Sequence, residues 1–100
     1  MNDKIILRLY TTPQNPHAKA ATETLQKIRK IGVKIDLEII DITKNPKLAR
    51  ENHIIAIPTL DKIKPKPTRR IIGDLSDDKA LLKFLGVSKL GRVPNNPKSS

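Results

Sequence analysis

Ile57-Pro58-Thr59 follows a strand–helix–strand pattern, and that placement decides how the fold is read. An X-Pro bond is cis in about 5–6% of cases in folded proteins. Upstream, Ile5, Leu7 and Leu9 alternate with Ile6, Arg8 and Tyr10, the period of a strand. Asn15-Pro16 supplies a helix cap with proline at the first helical position. Ala18, Ala21, Leu25 and Ile28 then recur at three- and four-residue spacing, one apolar helix face ending near Gly32. Val33, Ile35, Leu37 and Ile39 alternate against Lys34, Asp36 and Glu38, a second strand. Two strands joined by such a helix form a βαβ unit, with parallel strands and a right-handed crossover.

The second half is less periodic. Asn45-Pro46 repeats the cap chemistry and predicts a short helix to about Asn52. Ile54 to Leu60 reads as strand material broken by Pro58, and Arg69 to Ile72 as a short further strand. Ser76 is the expected cap of a last helix, with Asp77 and Asp78 in its first turn, Leu81, Leu82 and Leu85 on its apolar face, and Gly86 at its end. The order predicted from these local signals is β-α-β-α-β-β-α. Residues 1–88 are expected to form one domain, and residues 89–100 a mobile basic tail.

A chain of 100 residues has room for one modest core. Aromatic residues make up only 2%, so that core is built from aliphatic side chains, with Tyr10 and Phe84 its only aromatics. There is no cysteine, which excludes a disulfide framework and fits a cytoplasmic location. No apolar run approaches the roughly 20 residues of a membrane-spanning helix, so no membrane role is expected. The formal charge is +10, which favours an acidic partner.

No enzyme constellation emerges. With no thiol, disulfide exchange is excluded. His17 and His53 lack clustered carboxylates or cysteines, so neither a metal nor a cofactor is expected. The glycines are scattered and form no phosphate loop. The main electrostatic feature is Lys62-Ile63-Lys64-Pro65-Lys66-Pro67-Thr68-Arg69-Arg70, in which five of nine residues are Lys or Arg. Its prolines argue for an extended connector without regular hairpin bonds. Its arginines can fork onto carboxylates or phosphates. Nucleic acid is disfavoured, because no aromatics interleave with the charges.

The element order and the Ile57-Pro58-Thr59 turn resemble thioredoxin-like domains, and the resemblance implies that the turn opens the third strand and carries a cis proline. There the position facing the proline carries the redox cysteines; here it reads Thr11-Thr12-Pro13-Gln14-Asn15. Three stretches narrow the resemblance. Ile40-Asp41-Ile42-Thr43-Lys44-Asn45-Pro46-Lys47-Leu48-Ala49, Ala56-Ile57-Pro58-Thr59-Leu60 and Arg69-Arg70-Ile71-Ile72-Gly73-Asp74-Leu75-Ser76 are similar to segments of the KaiB proteins, over roughly residues 4 to 86. The basic end, Lys89 to Lys98, departs from the acidic tail common in cyanobacterial members.

The resemblance implies a non-enzymatic regulator that binds a KaiC-like hexameric ATPase, in circadian-type timing or in stress adaptation. The alternative is a basic thioredoxin-like module that binds nucleic acid or another acidic partner. It also implies two folds. One is thioredoxin-like and binds partners. The other is a ground state, β-α-β-β-α-α-β, that forms a homotetramer. Mass action favours the tetramer in a concentrated sample, so the ground state is the expected form there. Lys44, Lys47, Arg50, Lys64, Arg69 and Arg70 are the expected partner contacts. Pro58, Pro65, Pro67, Gly73 and Asp74 are the expected switch residues, the prolines through slow isomerisation. Gly73→Ala is expected to enrich the thioredoxin-like form.

Overall fold

The computed structural model describes residues 4–73, 75 and 77–86. The elements are β1 (Ile5–Thr11), α1 (Pro16–Lys30), β2 (Ile35–Asp41), α2 (Pro46–Glu51), β3 (Thr59–Lys64), β4 (Arg69–Ile72) and α3 (Asp78–Leu85). This is the β-α-β-α-β-β-α order given by the local signals. It is not the β-α-β-β-α-α-β order expected for a concentrated sample. That expectation rested on contacts among four copies, whereas in one chain the local signals decide. Pro46 starts a helix directly after β2, and β3 and β4 pair as a hairpin.

The four strands lie in the order β2-β1-β3-β4. β1 runs parallel to β2 and antiparallel to β3, and β3 runs antiparallel to β4. β1 is therefore central, and Leu7, Leu9 and Tyr10 are wholly buried. Ile5, Leu7, Leu9 and Leu60 pack with Ala18, Ala21, Leu25 and Ile28 of α1 and Leu81, Leu82 and Leu85 of α3. At about 25 cal/mol per Å² of apolar surface removed from water, this layer is the main source of stability. The opposite face carries Tyr10, Thr59, Asp61 and Arg70, and the end of α2 lies against it.

Local chemistry explains the boundaries. The Asn15 side chain accepts from the backbone N–H groups of His17 and Ala18, so α1 begins where the Asn-Pro signal puts it. Asn45 does not repeat this. It makes no side-chain cap bond, and its amide instead donates to the Asp41 carbonyl in the turn after β2. The last helix is capped by Asp77, whose carboxylate accepts from the N–H groups of Lys79 and Ala80. The expected cap at Ser76 is thus displaced by one residue, to the longer acceptor; Ser76, Asp74 and the tail 89–100 lie outside the described residues. Gly86 ends α3 in the left-handed region, at φ 87°.

The third strand also moves. It was expected within residues 54–60 and spans Thr59–Lys64. Pro58 lacks an N–H and sits just before the ladder, where proline is tolerated. The apolar residues ahead of it stay in a loop, and Ile55 is 87% exposed. The Lys62–Arg70 segment is therefore not an extended connector. Its first three residues are strand, its last two open β4, and the ladder closes at Lys62↔Arg69. Pro65 and Pro67 fall in the intervening loop, where they cost no ladder bond. The bonds preceding Pro58, Pro65 and Pro67 are all cis.

Candidate partner-binding surface

The position that faces the proline, where thioredoxin-like domains carry their cysteines, is built here without a thiol. Tyr10↔Thr59 register places the loop after β1 beside Pro58. Thr59 Oγ1 donates to the Ala56 carbonyl at 2.6 Å, and the Gly73 N–H donates to the Pro58 carbonyl at 3.0 Å. Thr11 to Asn15 supply hydroxyl and amide groups only, and Gln14 takes a positive φ of 67°.

The six basic residues expected to bind a partner do not form one surface. Lys44, Lys47 and Arg50 come together on α2 and the turn before it, all exposed, around a shallow hollow. Lys47 and Arg50 are three residues apart on the helix and share a face. The turn is held by Asp41. Its carboxylate accepts from the Thr43 hydroxyl at 2.6 Å and from the Thr43 N–H at 2.9 Å. The Thr43 hydroxyl is the main reason the Asp41 pKa lies below its ordinary 3.8, with the backbone bonds and the Lys44 charge adding to it. Because the folded value is depressed, this contribution to stability is present above the unfolded pKa and is lost as pH falls through the folded one. Thr43→Val therefore raises the Asp41 pKa toward 3.8, as measured by NMR titration of its carboxyl carbon. An unchanged value would show that the hydroxyl is not the cause.

Arg70 is occupied within the fold. Its guanidinium forks onto Asp61, Nε to Oδ1 at 2.7 Å and Nη2 to Oδ2 at 2.9 Å. Nη2 and Nη1 also donate to the backbone carbonyls of Asn52 and His53. Arg70 thus ties β4 to the chain leaving α2, where His53 sits at a positive φ of 56°. Arg69 lies on the opposite face of the sheet, beside Lys62. Lys64 is exposed at the end of β3 and pairs with Ile6.

Sequence reading missed Asp61, and it took Lys62 as part of an exposed basic connector rather than as a buried strand residue. Alternation through Thr59-Leu60-Asp61-Lys62 was the available signal, but the apolar run before Pro58 drew the strand too early. It also missed the Arg8–Glu38 pair, 3.0 Å apart across β1 and β2, in which Arg8 donates as well to the Tyr10 hydroxyl. Among the described residues, no three or more His, Asp or Glu side chains gather as a metal site, and no helix is long and apolar enough to cross a membrane.

Comparison with known proteins narrows the reading. Residues 8–87 match the KaiB domain. A circadian clock oscillator protein KaiB of Synechococcus sp. is 44% identical over 97 residues, covering 95% of this chain and 82% of that protein. The protein of the same name from Synechococcus elongatus is 48% identical over 80 residues, covering 77% and 78%. Among solved structures, the N-terminal domain of Synechococcus elongatus SasA superposes with a TM-score of 0.66 at 23% identity, covering 85% of this chain and 86% of that one. Chloroplastic thioredoxin z gives 0.70 at 19% identity, over 84% and 77%. These two likenesses show the thioredoxin-like fold.

Proposed function

The chain belongs to the KaiB family of clock proteins, and from that premise we propose that it is a non-enzymatic regulator that docks on a KaiC-like hexameric ATPase. The docking form is the thioredoxin-like one, and the docking surface is centred on Lys44, Lys47 and Arg50. The observation that carries this reading is the grouping of these three exposed cations on one short helix and its leading turn. A chain of net charge +10 presents them toward a partner of opposite sign. The role is timing of the circadian type or stress adaptation, in the cytoplasm. A pull-down from the host with this chain as bait tests it. Recovery of the ATPase is the expected result. Recovery of nucleic acid alone, with binding to random-sequence DNA that collapses in salt, would replace the reading by the nucleic-acid module.

The proposal includes a homotetramer in concentrated solution, the assembly expected of the family's ground state. Sedimentation is expected to show the tetramer, and a lone 11.2 kDa species at high concentration would remove it. It also includes an exchange between two packings of the second half. Gly73 has φ +102° in the thioredoxin-like form. An alanine there is strained by about 1–2 kcal/mol even though its Cβ would meet nothing. The direction expected from sequence is therefore reversed: Gly73→Ala disfavours this form. NMR on parent and variant checks it, and a variant enriched in the thioredoxin-like state would contradict it.

A further inference from the structure

Lys62 and Arg69 stand directly opposite each other on β3 and β4, on the sheet face that also carries Leu7 and Leu60. Like charges opposed in this way destabilise a strand pair. The other two arginines of the sheet avoid such a cost, because Arg8 has Glu38 and Arg70 has Asp61. Lys62 and Arg69 have no hydrogen bond or ion pair to any described residue. Lys62 is also only 5% exposed. Burial, and then the charge of Arg69, push its pKa below the ordinary 10.5. No fully buried side-chain nitrogen or oxygen lacks a partner among the described residues, so the ammonium reaches the surface from a buried stem. It does so at an open depression that Thr68 and Arg69 also line, together with Asp61 and Arg70, whose charges already pair with each other.

We propose that Lys62 and Arg69, with Thr68 at the rim, form an acceptor for one carboxylate of an acidic partner segment. The proposal rests on the acidic-partner reading and deepens it. It adds a second contact point, and it takes Arg70 out of the partner surface because that guanidinium is already forked onto Asp61. A carboxylate there relieves the repulsion and gains charge-assisted hydrogen bonds from both cations. A protein carboxylate fits better than a nucleic-acid backbone, because Tyr10 and Phe84 are both buried and leave no aromatic face on which a base could stack.

The test is an NMR titration of the full chain with a hexaglutamate peptide and, separately, with inorganic phosphate. Shifts from the peptide are expected to centre on Lys62, Thr68 and Arg69. Lys62→Met, which keeps the buried stem, and Arg69→Gln, at an exposed position, should each weaken binding about tenfold or more. Lys27→Gln, on the outer face of α1, should leave it unchanged. Lys62→Met should also raise the Tm by removing the repulsion. Shifts centred on Lys44 to Arg50 and indifferent to both substitutions would overturn this acceptor while leaving the α2 surface standing. No binding of the peptide anywhere would overturn both. Phosphate binding more tightly than the peptide would overturn the carboxylate assignment.

Discussion

Replacing Arg70 by methionine is expected to destabilise the thioredoxin-like form by about 2 kcal/mol, which lowers Tm by roughly 10 °C in a domain of this size. The side chain makes four hydrogen bonds, two to the Asp61 carboxylate and two to the carbonyls of Asn52 and His53. Their gross value is larger. Arg70 is 34% exposed, so solvent screening removes part of it. What remains is dominated by what the substitution strands: Asp61 is only 14% exposed and would keep its charge without a partner. Arg70→Lys should recover less than half, because an ammonium reaches either the carboxylate or the carbonyls but cannot fork across both. A double-mutant cycle with Asp61→Asn should give a coupling of about 1 kcal/mol. Thermal unfolding at fixed concentration measures all of this. A Tm within a degree or two of the parent would mean that the tie between β4 and the end of α2 contributes nothing.

The second large effect is on binding. Reversing both charges on α2, Lys47→Glu with Arg50→Glu, should weaken association with an acidic partner on the order of a hundredfold, about 2.7 kcal/mol. It should also flatten the salt dependence, because the steering charges are gone. Both residues are exposed and have no ion pair among the described residues, so the fold should survive. Arg50 lies in the last turn of α2, where a cation suits the helix dipole, so its reversal carries a small helix cost. Arg50→Gln separates the two effects, since it removes the charge without adding the opposite one. Affinity unchanged in the double variant would remove α2 from the partner surface.

The first half of the fold was legible because several signals agreed there. Strand alternation, the Asn15-Pro16 cap and the apolar stripe of α1 each point to the same boundaries, and the side-chain bonds of Asn15 fix the first of them. In the second half, tertiary burial overrode the apolar count. Ile55 looks like strand core and is almost fully exposed, while Lys62 looks like solvated surface and is buried. The strand begins where Pro58 permits it, not where hydrophobicity peaks. Asn45 shows the same limit at one residue, because its amide is taken by the Asp41 turn rather than by the helix it precedes. The candidate surface was legible as charge but not as geometry. Neighbours in sequence, Arg69 and Arg70, point to opposite faces of β4, one against Lys62 and the other onto Asp61. Only the register of the hairpin separates an arginine available to a partner from one that the fold has already used.

The most direct measurement is a calorimetric titration of the chain into the proposed partner, a KaiC-like ATPase, at low and at physiological salt, with the parent and the Lys47→Glu/Arg50→Glu variant. The parent should bind saturably, more tightly at low salt, and the variant should lose most of that affinity and most of its salt dependence. No binding by the parent at either salt concentration, or equal binding by parent and variant, would contradict a regulator that docks through the basic face of α2.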